Sequence, residues 1–126
     1  MSTGGSPLSM NPVFRLDEAL SRVDHDRDIF ITMVELFSEH GPKDFAVLKA
    51  AVQAGNPSAV AQSAHRLKGA VMQFCASATF ASAKKLEDIG RAGQLTDAES
   101  ICAQLETELA DLLDALQQAR DTGFGA

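Results

Sequence analysis

The chain has 126 residues, enough for a single domain with a hydrophobic core. It is 45% hydrophobic and 22% charged, within the range of ordinary globular proteins, and the lack of Trp and Tyr favours helices over sheets. With 17 acidic against 11 basic residues, the net charge of −6 argues against electrostatic binding of nucleic acid, and no apolar stretch approaches the length of a membrane span.

The N-terminal segment and the cysteines indicate the compartment. Residues 1–11 have neither the basic start nor the apolar stretch of a signal peptide, and we expect a flexible tail there. Cys75 and Cys102 lie in apolar helical patterns, as small core residues of a reducing cytosol do. We therefore predict a cytoplasmic protein, with a helical bundle over residues 12–120 and a C-terminal tail over residues 121–126.

Polar and helix-breaking residues divide the first half of the chain into helical segments. A short helix is predicted over residues 17–23, a second over about 26–40 and a third over about 43–54. Gly41 and Pro42 separate the last two, because a glycine cap followed by proline is typical of a helix end.

A break at Gly55 precedes the next helix. Asn56 is a good N-cap, and Pro57 fits the first helical position because its missing N–H would be unsatisfied there anyway. This helix carries His65 and is expected to run to about Phe74.

Two more helices complete the prediction. One covers about 76–92, where Gly93 can close it, and Thr96 with Glu99 three residues later forms a capping box for the last helix. No strand pattern occurs in the sequence. The predicted fold class is all-α: an antiparallel four-helix bundle with an additional N-terminal helical segment.

His65 is the candidate functional residue that periodicity selects. The apolar residues of its helix follow a 4-3-4-3 spacing that marks the buried face: Val60, Ala64, Leu67, Val71 and Phe74. At about 100° per residue, His65 points roughly 140° from Val60 and should face solvent. One turn away on either side, Ala61 and Gly69 have little or no side chain, so a bulky partner could approach. Tight packing on another helix is the alternative reason for Gly69.

Lys68 lies on the flank between His65 and the buried face. Its ammonium would disfavour an imidazolium but attract an incoming dianion. From geometry alone, both residues could also be ordinary solvated surface residues. His25 in a polar turn and His40 at a helix C-terminus fit structural positions.

The motif around His65 resembles a known family signature. Residues 64–70, Ala-His-Arg-Leu-Lys-Gly-Ala, are similar to the Ala-His-x-Leu-Lys-Gly-Ser/Ala motif of histidine-containing phosphotransfer (HPt) domains. The resemblance extends upstream to Leu36-Phe37 and to Ala-Ala-Val-Gln-Ala-Gly-Asn at 50–56, and downstream to Leu86-Glu87. It covers roughly residues 14–120.

The sequence also departs from the family pattern near the end of the His65 helix. Cys75 replaces a usual glycine, and Thr79 stands where a leucine is common, with Phe80 next to it. These differences concern the corner between two helices and not the residues around His65.

The resemblance implies a phosphocarrier of a two-component phosphorelay. His65 would accept a phosphoryl group from a receiver-domain aspartate or a histidine-kinase system and pass it to a response-regulator receiver. Lys68 would stabilise the phosphoryl group, Gly69 would leave room for the receiver, and Glu87 would orient the other ring nitrogen, with Lys84 assisting one turn earlier. For Glu87, a surface carboxylate paired with Lys84 or Arg91 remains the alternative.

The implied partners are receiver domains of response regulators, a hybrid sensor histidine kinase, or both, with no nucleic acid and no membrane. Docking is expected through Ala61, Arg66, Gly69 and Met72 around His65, over a small interface with a polar rim. We expect a monomer, because a relay module needs its histidine face free.

The sequence holds no Gly-rich phosphate loop, so we predict no ATP site and no autonomous enzyme activity. We also expect no cofactor or metal of its own, with Mg²⁺ supplied by the receiver. The alternative function is a non-phosphorylated helical adaptor, in which His65 would be dispensable. A di-iron bundle would need paired Glu-x-x-His motifs, which the sequence lacks.

Overall fold

The computed structural model describes residues 15–121, without the side chains of residues 16 and 17. Within that range the chain forms five helices and no strand: α1 (Leu16–Ser21), α2 (Arg27–Ala54), α3 (Pro57–Met72), α4 (Ser77–Ala92) and α5 (Ala98–Asp121). The predicted tail over 1–11 lies outside the described residues, as does the predicted tail over 121–126 apart from Asp121, the last residue of α5.

Helices α2 to α5 form an antiparallel four-helix bundle, and α1 packs on α2. Helix α3 lies between α2 and α4, and α5 closes the bundle by packing on α4 and α2. The core takes apolar side chains from all four long helices and from Phe74, which follows α3; among the helical members are Phe30, Leu48, Leu67, Leu86, Leu105 and Leu112. The all-α bundle with an additional N-terminal helix, predicted from periodicity, is confirmed.

The predicted helix break at Gly41 and Pro42 is wrong. One continuous helix runs from Arg27 to Ala54 with Pro42 inside it. The buried stripe passes through the break without a change of phase, so burial of this face outweighs the hydrogen bond that Pro42 cannot donate. A Cβ at Gly41 would lie 3.1 Å from Phe37 Cε1, so glycine at 41 makes room for the Phe37 ring and does not cap a helix.

Local capping starts α3 where the sequence indicates. The Asn56 side chain accepts a hydrogen bond from the Ala59 N–H, with 3.2 Å between the atoms, and Pro57 is the first helical residue. Gly55 ends α2 in the left-handed conformation, at φ +65°. These local signals set the phase of α3 and thereby the direction in which His65 points.

The predicted N-cap of α5 is one residue too early. The helix begins at Ala98, and the Asp97 carbonyl accepts from the Ile101 N–H, so Asp97 and not Thr96 is the N-cap. A turn in which the Ala98 N–H donates to the Leu95 carbonyl precedes it. Ala98, the first residue of α5, is buried.

Helix α3 ends at Met72, two residues before the predicted end, and a tight corner leads into α4. Cys75 has φ +55°, in the left-handed region that favours glycine. Phe74 before it is buried, and its ring packs against Phe37 at 5.2 Å between centroids. The corner therefore has the glycine-type conformation although a cysteine occupies it.

Among the described residues, no helix combines the length and the apolar character that crossing a bilayer requires.

Candidate functional site

His65 lies on the outer face of α3, as periodicity predicts. Val60, Ala64, Leu67 and Val71 of the same helix are fully buried, whereas the His65 side chain is 64% exposed. The imidazole is therefore held by a helix whose position is fixed by core packing, and a partner can reach it from solvent.

Glu87 of α4 meets the imidazole from the protein side. The His65 Nδ1 lies 2.8 Å from Glu87 Oε2, and the Glu87 side chain is only 2% exposed. Two further cations contact the same carboxylate: Lys68 Nζ lies 2.7 Å from Oε1, and Arg91 Nη2 lies 2.6 Å from Oε2. We call Glu87 with His65, Lys68 and Arg91 the Glu87 cluster. Its carboxylate is buried but fully paired, which makes an ionised group tolerable there.

The ionised state of Glu87 fixes the tautomer of His65. The hydrogen bond from Lys68 lowers the pKa of Glu87 below its usual range, burial opposes this, and the His65 contact and the charges of Lys68 and Arg91 lower it further. An ionised carboxylate can only accept hydrogen bonds, so Nδ1 of His65 carries the proton that is donated to Oε2. In the neutral ring the lone pair is then on Nε2, the ring nitrogen that does not face Glu87.

Lys68 is held in place from two sides. Besides its ion pair with Glu87, its ammonium lies 6.0 Å from the centroid of the Phe80 ring, at the limit for a cation–π contact. The Lys68 side chain is 22% exposed, so the charge is partly shielded but can still be reached from the His65 face.

The surface around His65 is open. A recess of about 420 Å³ next to the ring is lined by Ala61, Gln62, His65, Arg66 and Arg91. A Cβ at Gly69 would meet no atom within 4 Å, so packing within the chain does not require glycine there. We call the surface of α3 formed by Ala61, Arg66, Gly69 and Met72 the docking face; Arg66, Gly69 and Met72 are exposed there and Ala61 is half-buried. That a partner docks on it stays a prediction.

Two residues lie differently from what the sequence suggests. Lys84 Nζ pairs with Asp88 Oδ2 at 3.1 Å, and both side chains are exposed, so the contact it makes is not with the Glu87 cluster. Arg91, considered only as an alternative partner of a surface Glu87, contacts the buried carboxylate and lines the recess beside His65. The i, i+4 spacing of Glu87 and Arg91 was the available signal, but it could not reveal that Lys68 of α3 contacts the same carboxylate.

Within residues 15–121, no group of three or more His, Cys, Asp or Glu side chains is placed to hold a metal ion.

Comparisons with known proteins agree with this geometry. The sequence matches the family model described as Hpt domain over residues 32–119. The fold is similar to the crystal structure of histidine-containing phosphotransfer protein B (HptB) from Pseudomonas aeruginosa PAO1, with 26% identity, a TM-score of 0.81, and coverage of 88% of this chain and 96% of that chain.

A second similar structure is the HPT domain of the Hpt sensor hybrid histidine kinase from Shewanella. It is 18% identical, with a TM-score of 0.74 and coverage of 90% of this chain and 97% of that chain, and this likeness concerns the fold. A comparison with curated proteins gave no match.

Proposed function

The chain belongs to the Hpt domain family, whose members are phosphotransfer carriers of two-component signalling, and from that premise we propose that His65 is the phosphoacceptor of a phosphorelay. The observation that carries the proposal is the contact of 2.8 Å between His65 Nδ1 and the buried carboxylate of Glu87. It directs the unprotonated Nε2 of an exposed imidazole toward an approaching partner.

The transfer step follows from this tautomer. The Nε2 lone pair attacks the phosphorus of an aspartyl phosphate, an N–P bond forms, and the P–O bond to the aspartate carboxylate breaks, so that the carboxylate leaves with the bonding pair. The ring becomes cationic, and its Nδ1–H stays hydrogen-bonded to Glu87. No proton has to leave the imidazole during transfer, and the buried carboxylate stabilises the positive charge that develops on it.

Lys68 and Arg91 balance the charges of the phosphorylated site. Before transfer, one carboxylate and two cations surround the neutral imidazole, for a net charge of about +1. A phosphoryl dianion on a cationic ring adds about −1, which leaves the cluster near neutrality. We propose that Lys68 stabilises the charge on the phosphoryl oxygens and that Arg91 holds the Glu87 carboxylate in place. We give Lys84 no role in transfer, because its ammonium pairs with Asp88.

The partners in this proposal are receiver domains. A phosphorylated receiver, or the receiver of a hybrid sensor kinase, docks on the docking face, and the response regulator that takes the group next uses the same face. We expect the receiver to bring the aspartate and its Mg²⁺, while the carrier brings His65, Lys68 and the clearance at Gly69. One shared face for two partners requires small and transient interfaces, and it requires this face to be free in a monomer.

Incubation with a radiolabelled, phosphorylated receiver tests the proposal. We expect label on the protein that is lost in acid and retained in base, as phosphohistidine is, and no label on the His65→Gln variant. His65→Gln should remain folded, because the ring faces solvent and its loss removes one hydrogen bond worth about 1 kcal/mol. A folded protein that binds receivers but acquires no label would favour the alternative, a helical adaptor.

A further inference from the structure

Gly90 of α4 lies against the backbone of α3. A Cβ at this position would be 2.8 Å from the Ala61 backbone nitrogen and 2.9 Å from the Pro57 carbonyl oxygen. Both neighbours are main-chain atoms, which cannot rotate away as the end of a side chain can. The gap between the two helices is therefore closed to any side chain at this position.

Backbone conformation does not explain this glycine. The glycines with positive φ in the described residues are Gly55 and Gly93, and Gly93 closes α4 at φ +73°. Gly90 is an ordinary helical residue whose replacement by Ala would favour an isolated helix by about 0.5–1 kcal/mol. What requires glycine is the space between α3 and α4.

The close approach lies one turn from the Glu87 cluster on both helices. Gly90 follows Glu87 by three residues on α4, and Ala61 precedes His65 by four residues on α3. The helices are antiparallel, so the contact of Gly90 with Ala61 is adjacent to the contact of Glu87 with His65. The buried Ala83, one turn before Glu87, keeps the α4 surface small on the other side.

We propose that Gly90 is a positioning residue for phosphotransfer, because it sets the separation of α3 and α4 that lets the Glu87 carboxylate reach His65 Nδ1 and Lys68 Nζ. The role of Gly90 in transfer rests on the proposed function. Its role in fixing the tautomer of His65 does not depend on any partner.

The distances around Gly90 indicate how far an added Cβ would separate α3 from α4. Carbon atoms in ordinary contact lie about 3.5 Å or more from neighbouring heavy atoms, so an added Cβ moves the helices apart by about 0.7 Å. A shift of that size at Glu87 lengthens the 2.8 Å contact with His65 to about 3.5 Å, where a hydrogen bond is largely lost. The ring then loses the partner that holds its Nδ1–H.

Ring nitrogen NMR of ¹⁵N-histidine-labelled Gly90→Ala tests the proposal. In the unchanged protein His65 should show a protonated Nδ1 and an unprotonated Nε2. Gly90→Ala should move the neutral ring toward the Nε2–H tautomer of a free histidine and lower the transfer rate about tenfold, the effect of one lost hydrogen bond to a charged group. Val34→Ala, a core change on α2, is the control for destabilisation and should change neither readout.

Glu87→Asp leaves Gly90 and its contact with α3 unaltered and withdraws the carboxylate by one methylene. It should give the same tautomer change as Gly90→Ala, and it tests the contact through which Gly90 is proposed to act even should Gly90→Ala not fold. The proposal is overturned if a folded Gly90→Ala, or Glu87→Asp, retains the tautomer of the unchanged protein. A tautomer change without any labelling of His65 in the unchanged protein would instead contradict the proposed function, while the effect of Gly90 on the contact between Glu87 and His65 would still stand.

Discussion

At the scale of single residues, the site depends on a carboxylate that is buried and yet charged. Glu87 is 2% exposed, and it would take up a proton if it were alone in that position. Lys68, His65 and Arg91 supply three donors to its two oxygens, and the Lys68 hydrogen bond is the main cause of its lowered pKa. The same carboxylate then serves the imidazole, because an ionised group can accept the Nδ1–H but cannot donate to it.

Glu87→Gln should alter the pH dependence of stability. The folded pKa of Glu87 lies below its ordinary value of 4.5, so the carboxylate stabilises the fold fully above pH 4.5, and this contribution is lost as the pH falls through the lower folded value. We expect Glu87→Gln to be less stable by about 1–2 kcal/mol at pH 7, and the difference to shrink below pH 4.5. Urea unfolding at pH 7 and pH 3 measures it, and a constant difference would contradict the assigned ionisation.

Lys68→Ala should slow transfer more than it weakens docking. Its ammonium is partly shielded and next to His65, so it can offset charge on the phosphoryl oxygens as transfer proceeds. We expect the transfer rate to fall about 10–100-fold while receiver affinity changes by less than about threefold. Rapid-quench transfer assays and titration of receiver separate the two quantities. Lys85→Ala, an exposed change on α4, is the matched control. If Lys68→Ala transfers as fast as the unchanged protein, Lys68 does not have the role proposed for it.

At the scale of helices, packing has two effects on the backbone. It overrides a helix-breaking signal inside α2, and it holds a strained backbone conformation at the corner between α3 and α4. Helix α2 runs through Gly41 and Pro42 because its buried stripe is continuous there. The corner between α3 and α4 keeps Cys75 at φ +55°, a conformation that a residue with a Cβ adopts at a cost of roughly 1–2 kcal/mol. The corner is imposed by burial of Phe74 and Ala76 on either side of it.

Cys75→Gly should therefore stabilise the protein. Glycine adopts the left-handed conformation without the Cβ clash, although its freedom in the unfolded chain offsets part of the gain. We expect an increase of about 0.5–1 kcal/mol in the free energy of unfolding. Urea denaturation of Cys75→Gly and of Cys75→Ala, which keeps the clash, gives the comparison; equal stability of the two variants would show that the corner is not strained.

At the scale of the whole molecule, the bundle exposes the helix that carries the site and places basic groups on an acidic protein. The net charge is −6, yet Arg66, Lys68 and Arg91 surround His65. In the proposed function, such a local positive potential attracts the acidic, phosphorylated site of a receiver. Gly69 keeps the approach to this region open.

Gly69→Leu should block transfer without harming the fold. A Cβ at position 69 meets no atom within 4 Å, so we expect the added side chain to extend into solvent one turn from His65 and the helix to gain up to about 1 kcal/mol. We expect receiver binding and transfer to fall about tenfold or more, since a leucine holds the partner away from the ring. Ala110→Leu on the exposed face of α5 is the control. Unchanged transfer in Gly69→Leu would mean that the receiver does not dock over α3.

The sequence by itself determined the all-α class and the exposure of His65, because a 3.6-residue period fixes which way each side chain points along one helix. It left open whether Gly69 faces solvent or packs on another helix, and the structure shows open space there. The motif around His65 also led to the correct family. Only the tertiary structure decided what lies across from that helix: the burial of Glu87, the arrival of Arg91 at the same carboxylate, and the need for glycine at position 90. Those properties depend on the separation and register of α3 and α4, which the packing of the whole core sets and the period of neither helix contains.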